Sequence, residues 1–141
     1  MITQISEDVW LRYKELLPKT RELYVPALPV NLPYQGSIQG SFNYVLPDEV
    51  LGRLRKWLES RGEEFVYYFK TEIAEGEANN FKVEVSELTH DNLSEINICS
   101  ENVIVAGDFS WAIFVDHEGF LHVSGPVDLM QALTSQPVQQ D

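Results

Sequence analysis

The chain has 141 residues, of which 44% are apolar and 23% are charged, and its formal net charge is −12. This length is typical of one domain with its own core. No run of about 18 apolar residues predicts a membrane span, and the negative charge disfavours nucleic acid and anionic membrane surfaces as partners. The polar residues 1–10 do not have the pattern of a secretory signal and Cys99 is the only cysteine, so we expect a cytoplasmic location.

The first half of the chain predicts two helices joined by an irregular arm. Ser6 is a favourable helix cap, and apolar residues recur after it at helical spacing. Prolines and glycines alternate with apolar residues over 26–47, which predicts a proline-rich arm with at most one short strand, near 41–46. A second helix is predicted from Asp48 to a C-cap at Gly62.

In the second half the apolar period changes to two, which predicts strands. The predicted strands cover residues 65–73, 81–85, 95–99, 103–106, 111–116 and 120–124. A polar connection at 89–94 with room for one helical turn, a short helix at 127–133 and a flexible tail at 134–141 complete the chain.

Successive strands without long helices between them favour antiparallel pairing. We therefore predict a single α+β domain over residues 1–133. Its antiparallel sheet of about five strands has two N-terminal helices packed on one face and a short C-terminal helix.

Negative charge is concentrated in the second part of the chain. Residues 62–141 hold fifteen carboxylates against Lys70 and Lys82, whereas residues 1–61 hold seven against eight basic residues. An acidic surface can serve solubility alone, but this uneven distribution favours a compact negative face that attracts a cationic partner. The residues predicted to bind that partner are Tyr68, Glu84, Asp108, Asp116 and Glu118.

The Asp116–Gly119 turn is the place where metal or acid–base chemistry is conceivable. Asp116, His117, Glu118 and His122 are four potential ligands within seven residues. Adjacent side chains of a turn diverge, however, and no paired-histidine motif accompanies them. We therefore predict no metal and no cofactor.

Two other candidates favour structural roles. His90 and Asp91 are neighbours in sequence, and neighbours rarely have the geometry of a catalytic dyad. Cys99 lies among alternating apolar residues and has no basic neighbour to lower its pKa. It is predicted to be a buried, inert thiol, and no catalytic residue is predicted.

Residues 108–119 read Asp-Phe-Ser-Trp-Ala-Ile-Phe-Val-Asp-His-Glu-Gly. This segment resembles the Trp-led C-terminal hairpin of some bacterial immunity-type proteins, which neutralise toxins. The resemblance implies a tight protein partner and no catalysis, and it assigns no functional residue.

Charge and resemblance together favour a small acidic protein that binds and neutralises or regulates a basic protein partner, such as a toxin domain. The alternative is a small-ligand-binding or metal-dependent enzyme domain with a site near the Asp116–Gly119 turn. Its pocket would lie between the arm and the sheet.

Overall fold

A computed structural model describes residues 2–18, 28–40, 44–70, 80–97 and 100–134 of the chain. Within these residues there are seven strands, namely β1 (Ile2–Gln4), β2 (Tyr34–Gln39), β3 (Phe65–Lys70), β4 (Phe81–Glu84), β5 (Asn102–Ala106), β6 (Ala112–Val115) and β7 (Phe120–Ser124). The α-helices of the same residues are α1 (Glu7–Leu16), α2 (Asp48–Ser60), α3 (His90–Ile96) and α4 (Val127–Thr134). A turn of 3-10 helix covers Val85–Glu87.

The strands form one sheet in the order β1-β4-β3-β5-β6-β7-β2, and every neighbouring pair is antiparallel. The predicted α+β class with an antiparallel sheet is therefore confirmed. The predicted number of about five strands is wrong, because the described residues form seven. The additional strands β1 and β2 are the two edges of this sheet, and β2 lies inside the proline-rich arm. The described residues of the arm form a strand at Tyr34–Gln39, whereas the strand predicted near 41–46 includes residues 41–43, which lie outside the described part of the chain.

Helices α1 and α2 pack on opposite faces of the sheet. Tyr13 of α1 stacks on Phe69 of β3, with ring centroids 3.8 Å apart and planes at 6°. Tyr68, the neighbour of Phe69, belongs instead to the core cluster that contains Leu54 and Leu58 of α2. Because successive side chains of a strand point to opposite faces, the prediction that both N-terminal helices share one face is wrong.

Burial on both faces follows from this three-layer arrangement. All five residues of β5 are buried, as expected for a central strand that is covered on both sides. The cluster around α2 also includes Leu129 and Leu133 of α4 and Leu93 of α3, so three helices cover that face.

The helix ends follow the local sequence. Ser6 accepts a hydrogen bond from the backbone N–H of Val9 and caps α1, and Gly62 supplies the left-handed conformation after α2 with φ of +72°. The predicted polar connection at 89–94, where one helical turn was expected at most, forms the longer helix α3 together with the first part of the strand predicted at 95–99. Thr89 caps this helix by accepting from the backbone N–H of Asn92; residues 98–99, including Cys99, lie outside the described residues.

Over the described residues, the remaining predicted elements agree with the structure apart from small differences at their ends. The strands concerned are β3, β4, β5, β6 and β7, and the helix is α4. Residues 71–73 of the strand predicted at 65–73 lie outside the described part of the chain. Thr134 belongs to α4, and residues 135–141 of the predicted tail are outside the described part.

The β6–β7 turn forms as its sequence predicts. Asp116 Oδ1 accepts hydrogen bonds from the backbone N–H groups of Glu118 and Phe120, both at 2.9 Å. Gly119 takes the left-handed conformation with φ of +87°, which glycine adopts without steric cost.

Candidate functional site

The residues predicted to bind a partner are divided between the two ends of the sheet. Asp116 and Glu118 follow β6 at the end where Asn102 pairs with Val115. Glu84 pairs with Phe65 at the opposite end, where Asp108 also follows β5. Since β5 spans five residues at about 3.4 Å each, the two groups are separated by the length of the sheet. These residues therefore do not form the single compact negative face that was expected.

Two of the predicted acids hold turns in place. Asp108 Oδ1 accepts from the Ser110 hydroxyl at 2.5 Å and from the Ser110 backbone N–H at 3.1 Å. The hydroxyl bond is the main reason why the pKa of Asp108 is lowered, and the positive charge of Arg61 adds to it. Burial opposes ionisation of Asp116, but the bonds from His122, Phe120 and Glu118 outweigh it and lower its pKa. Both carboxylates are therefore ionised components of turns.

Tyr68 does not lie on a surface that a partner can reach. Its side chain is fully buried, and its hydroxyl accepts a hydrogen bond of 2.8 Å from Asn97 Nδ2. Burial strongly raises the pKa of this hydroxyl. Tyr67 is the partly exposed member of the pair. The predicted role of Tyr68 in partner binding is therefore corrected, because its side chain is inaccessible.

Glu84 of β4 lies in a groove with a carboxylate of α2 and a carboxylate of the loop before β3. The groove has a volume of about 430 Å³ and is called the acidic groove below. Its lining residues are Glu59, Glu64, Phe65, Lys82, Glu84, Val85 and Ser86. The residues Glu59, Glu64 and Glu84 are exposed. Among the described lining residues, three are acidic and one, Lys82, is basic.

Lys82 marks the position that a cation takes in the acidic groove. Its Nζ atom lies 4.1 Å from the centroid of the Phe65 ring, within the range of a cation–π interaction. An aromatic face beside carboxylates is thus already in contact with a positive charge in this structure.

Arginines in and after α2 donate to groups outside the acidic groove. Arg53 bonds Glu49 at 3.1 Å and the Leu133 carbonyl at 3.2 Å. Arg55 donates to the carbonyl of Leu88. Arg61 bonds Glu63 at 2.8 Å and lies over the Trp57 ring. In these contacts the arginines bond to residues that do not line the acidic groove.

The sequence did not single out Glu59 and Glu64. Glu59 precedes the turn at Gly62 and Glu64 follows it. This turn connects the end of α2 to the start of β3. The sequence feature that could have indicated these two glutamates is the presence of acidic residues on both sides of the predicted helix C-cap at Gly62. Their proximity to Glu84 depends on the β3–β4 register, in which Phe65 pairs with Glu84.

A hydrogen-bonded chain of three side chains lies at the other end of the sheet, beside the β6–β7 turn. Asp116 Oδ2 lies 2.9 Å from His122 Nε2, and His122 Nδ1 lies 3.1 Å from the Tyr34 hydroxyl. The His122 ring also packs near Phe114 and Phe120, with centroids 5.7 and 6.3 Å away. The sequence indicated chemistry near this turn only as the alternative function, and Tyr34 was not among the residues named for it.

His117 does not join that chain. Its Nδ1 atom lies 2.7 Å from Glu101 Oε2, and its Nε2 atom lies 3.8 Å from Glu118 Oε1. The two histidines of the turn region thus bond different carboxylates. Among the described residues, no three His, Cys, Asp or Glu side chains are grouped so that they could hold a metal ion.

No helix of the described residues is both long and apolar enough to cross a membrane. Comparisons of the chain with protein-family models, with curated proteins and with solved structures found no match. The resemblance of residues 108–119 to immunity-type proteins therefore stays a prediction.

Proposed function

We propose that this chain is a binding protein whose acidic groove docks a basic segment of a partner protein. The observation that carries the proposal is the meeting of Glu59, Glu64 and Glu84 around one lysine and one aromatic ring. In a chain of net charge −12, such a groove lies in a negative field that speeds the approach of cations and repels anions.

The dimensions of the acidic groove support a peptide-like guest. A volume of about 430 Å³ is within the usual range of about 300–1,000 Å³ for binding sites. Lysine and arginine side chains offer a long apolar stem and a charged head. Phe65 can pack against the stem while the glutamates pair with the head.

Neutralising the groove tests this proposal directly. The triple variant Glu59→Gln, Glu64→Gln, Glu84→Gln should bind an oligolysine peptide about tenfold more weakly than the unchanged chain. Three exposed ion pairs at roughly 0.5 kcal/mol each account for that factor. Isothermal titration calorimetry at low ionic strength measures the affinity.

A matched control separates the groove from total charge. Glu15, Asp91 and Glu95 are exposed and do not line the groove. Their conversion to Gln, Asn and Gln removes the same charge and should weaken binding by less than about twofold. Equal weakening by both triple variants would show that net charge alone attracts the peptide, and the groove would then not be the docking site.

Neutralisation of a toxin is the biological role that we propose for this binding. It is supported by the resemblance of residues 108–119 to immunity-type proteins and by the groove's preference for cations. Purified basic toxin domains provide the test, and inhibition that survives the triple groove substitution would contradict it. The cytoplasmic location stays a prediction.

A second candidate function, ligand or enzyme chemistry near the Asp116–Gly119 turn, is favoured by one observation. It is the hydrogen-bonded chain of Tyr34, His122 and Asp116.

A further inference from the structure

The chain of Tyr34, His122 and Asp116 has the order of a nucleophile, a base and a carboxylate that orients the base. In such sites the hydroxyl lies about 2.6–3.2 Å from the base, and a third group holds the base in position. The two distances here are 3.1 and 2.9 Å.

The position of Asp116 is fixed independently of His122. Its other carboxylate oxygen accepts from the backbone N–H groups of Glu118 and Phe120. Because an ionised carboxylate only accepts hydrogen bonds, the Nε2 atom of neutral His122 carries the proton and donates a hydrogen bond to Asp116. The lone pair of His122 Nδ1 then faces the Tyr34 hydroxyl.

The three hydrogen-bonded side chains differ in solvent exposure. A nucleophilic site needs an exposed nucleophile and a more buried base and carboxylate. The Tyr34 residue is 55% exposed, so an electrophile can approach its oxygen from solvent. The side chains of His122 and Asp116 are only 17% and 15% exposed. Ring packing by Phe114 and Phe120 helps to hold the imidazole. Tyr34 and Asp116 are the titratable groups that the structure places against His122.

We propose that Tyr34 is a nucleophile that accepts an acyl group from an activated ester, with His122 as general base and Asp116 as positioning residue. The Tyr34 oxygen forms a bond to the carbonyl carbon of the ester. The bond from that carbon to the leaving oxygen breaks, and its electron pair leaves with that oxygen. His122 Nδ1 takes the phenol proton. The products are acyl-tyrosine, protonated His122 and the released phenolate or alkoxide.

The probe is p-nitrophenyl acetate, applied to the full chain near neutral pH. Peptide mass spectrometry measures the rate of acetylation at Tyr34 and, as an internal control, at the half-exposed Tyr67. Tyr34 should react at least tenfold faster, since general base assistance contributes about 10²–10⁴-fold. A Tyr34 rate equal to that of Tyr67 overturns the proposal.

Two variants distinguish general base catalysis by His122 from a purely structural role of its hydrogen bonds. His122→Gln should lower the Tyr34 rate at least tenfold and leave the Tyr67 rate unchanged. Asp116→Asn keeps the oxygen that accepts from the turn N–H groups, so the turn is preserved. The Asp116→Asn variant should lower the rate of acetylation at Tyr34 and change the pH profile of that rate, because the amide no longer fixes the tautomer of His122. An unchanged rate in His122→Gln, or an unchanged rate and profile in Asp116→Asn if the first variant does not fold, overturns the proposal.

Discussion

Glu101 accepts two hydrogen bonds from His117, one from the backbone N–H at 2.9 Å and one from Nδ1 at 2.7 Å. The Glu101 residue is buried, whereas half of the His117 side chain is exposed. The pair connects the β6–β7 turn to the start of β5 and makes that connection sensitive to pH.

The first prediction concerns the protonation of His117. Its hydrogen bond to Glu101, followed by the Glu101 charge, raises its pKa above 6.5. Stability from this pair is therefore fully present below pH 6.5 and is lost as pH rises through the raised folded-state value. In an NMR titration, Glu101→Gln should bring the His117 pKa back toward 6.5. Identical titration curves in both proteins would contradict this assignment, and the other histidines of the same spectra are the control.

The second prediction compares the two adjacent tyrosines of β3. Tyr68→Phe removes the buried acceptor of the Asn97 side chain and should lower the free energy of unfolding by about 1 kcal/mol. Tyr67→Phe, at a half-exposed position, should change it by less than about 0.5 kcal/mol. Urea denaturation measures both values, and equal effects would contradict the burial of Tyr68.

The third prediction compares two glycines. Gly125 has φ of +128°, and a Cβ atom there would lie 2.7 Å from Trp111 Cβ and 3.0 Å from Trp111 Cα. Gly125→Ala should therefore cost about 2 kcal/mol or more. Gly52 lies inside α2, where a Cβ atom has its nearest neighbour at 3.7 Å, the end of the Arg55 side chain. Gly52→Ala should stabilise the protein by roughly 0.5–1 kcal/mol. Thermal unfolding should show shifts of opposite sign, and shifts of the same sign would contradict these environments.

The fourth prediction concerns the cation that the acidic groove already contains. Lys82→Gln removes the positive charge from the Phe65 ring and should strengthen binding of an oligolysine peptide about twofold, or roughly 0.5 kcal/mol. Lys14→Gln makes the same charge change on the exposed side of α1 and should have a smaller effect. Calorimetric titration with matched buffers measures both, and a larger effect of Lys14→Gln would place the peptide elsewhere.

Local signals in the sequence were sufficient where one short segment determines its own structure. The Asp116–Gly119 turn contains both the side chain that accepts the turn N–H groups and the glycine that takes positive φ. Helix α2 follows Pro47 and ends before Gly62. In such segments the deciding interactions lie within a few residues.

Long-range pairing decided the elements that the sequence did not predict. Strand β2 has a glycine and few apolar residues, and it forms because it pairs with β7, more than 80 residues away. Helical periodicity likewise identified the apolar side of α1 without indicating which face of the sheet it covers. Because both faces are covered, alternation along β3 could not distinguish Tyr67 from Tyr68.

The sequence predicted that the candidate site would be acidic but not where in the fold it would lie. The excess of carboxylates after residue 62 indicated a cationic partner, and Glu84 does line the acidic groove. Glu59 and Glu64 reach it through the turn at Gly62 and the pairing of Phe65 with Glu84. That proximity requires the three-dimensional register of β3 and β4, which no local pattern provides.

Backbone amide NMR during titration with oligolysine shows where on the molecule a cation docks, and so whether the acidic groove is the binding site. The largest shift changes are expected at residues 59, 64–65 and 82–86, and they should disappear at about 1 M salt, where the Debye length is about 3 Å. Changes centred on residues 116–119, or spread evenly over all exposed acids, would contradict this expectation.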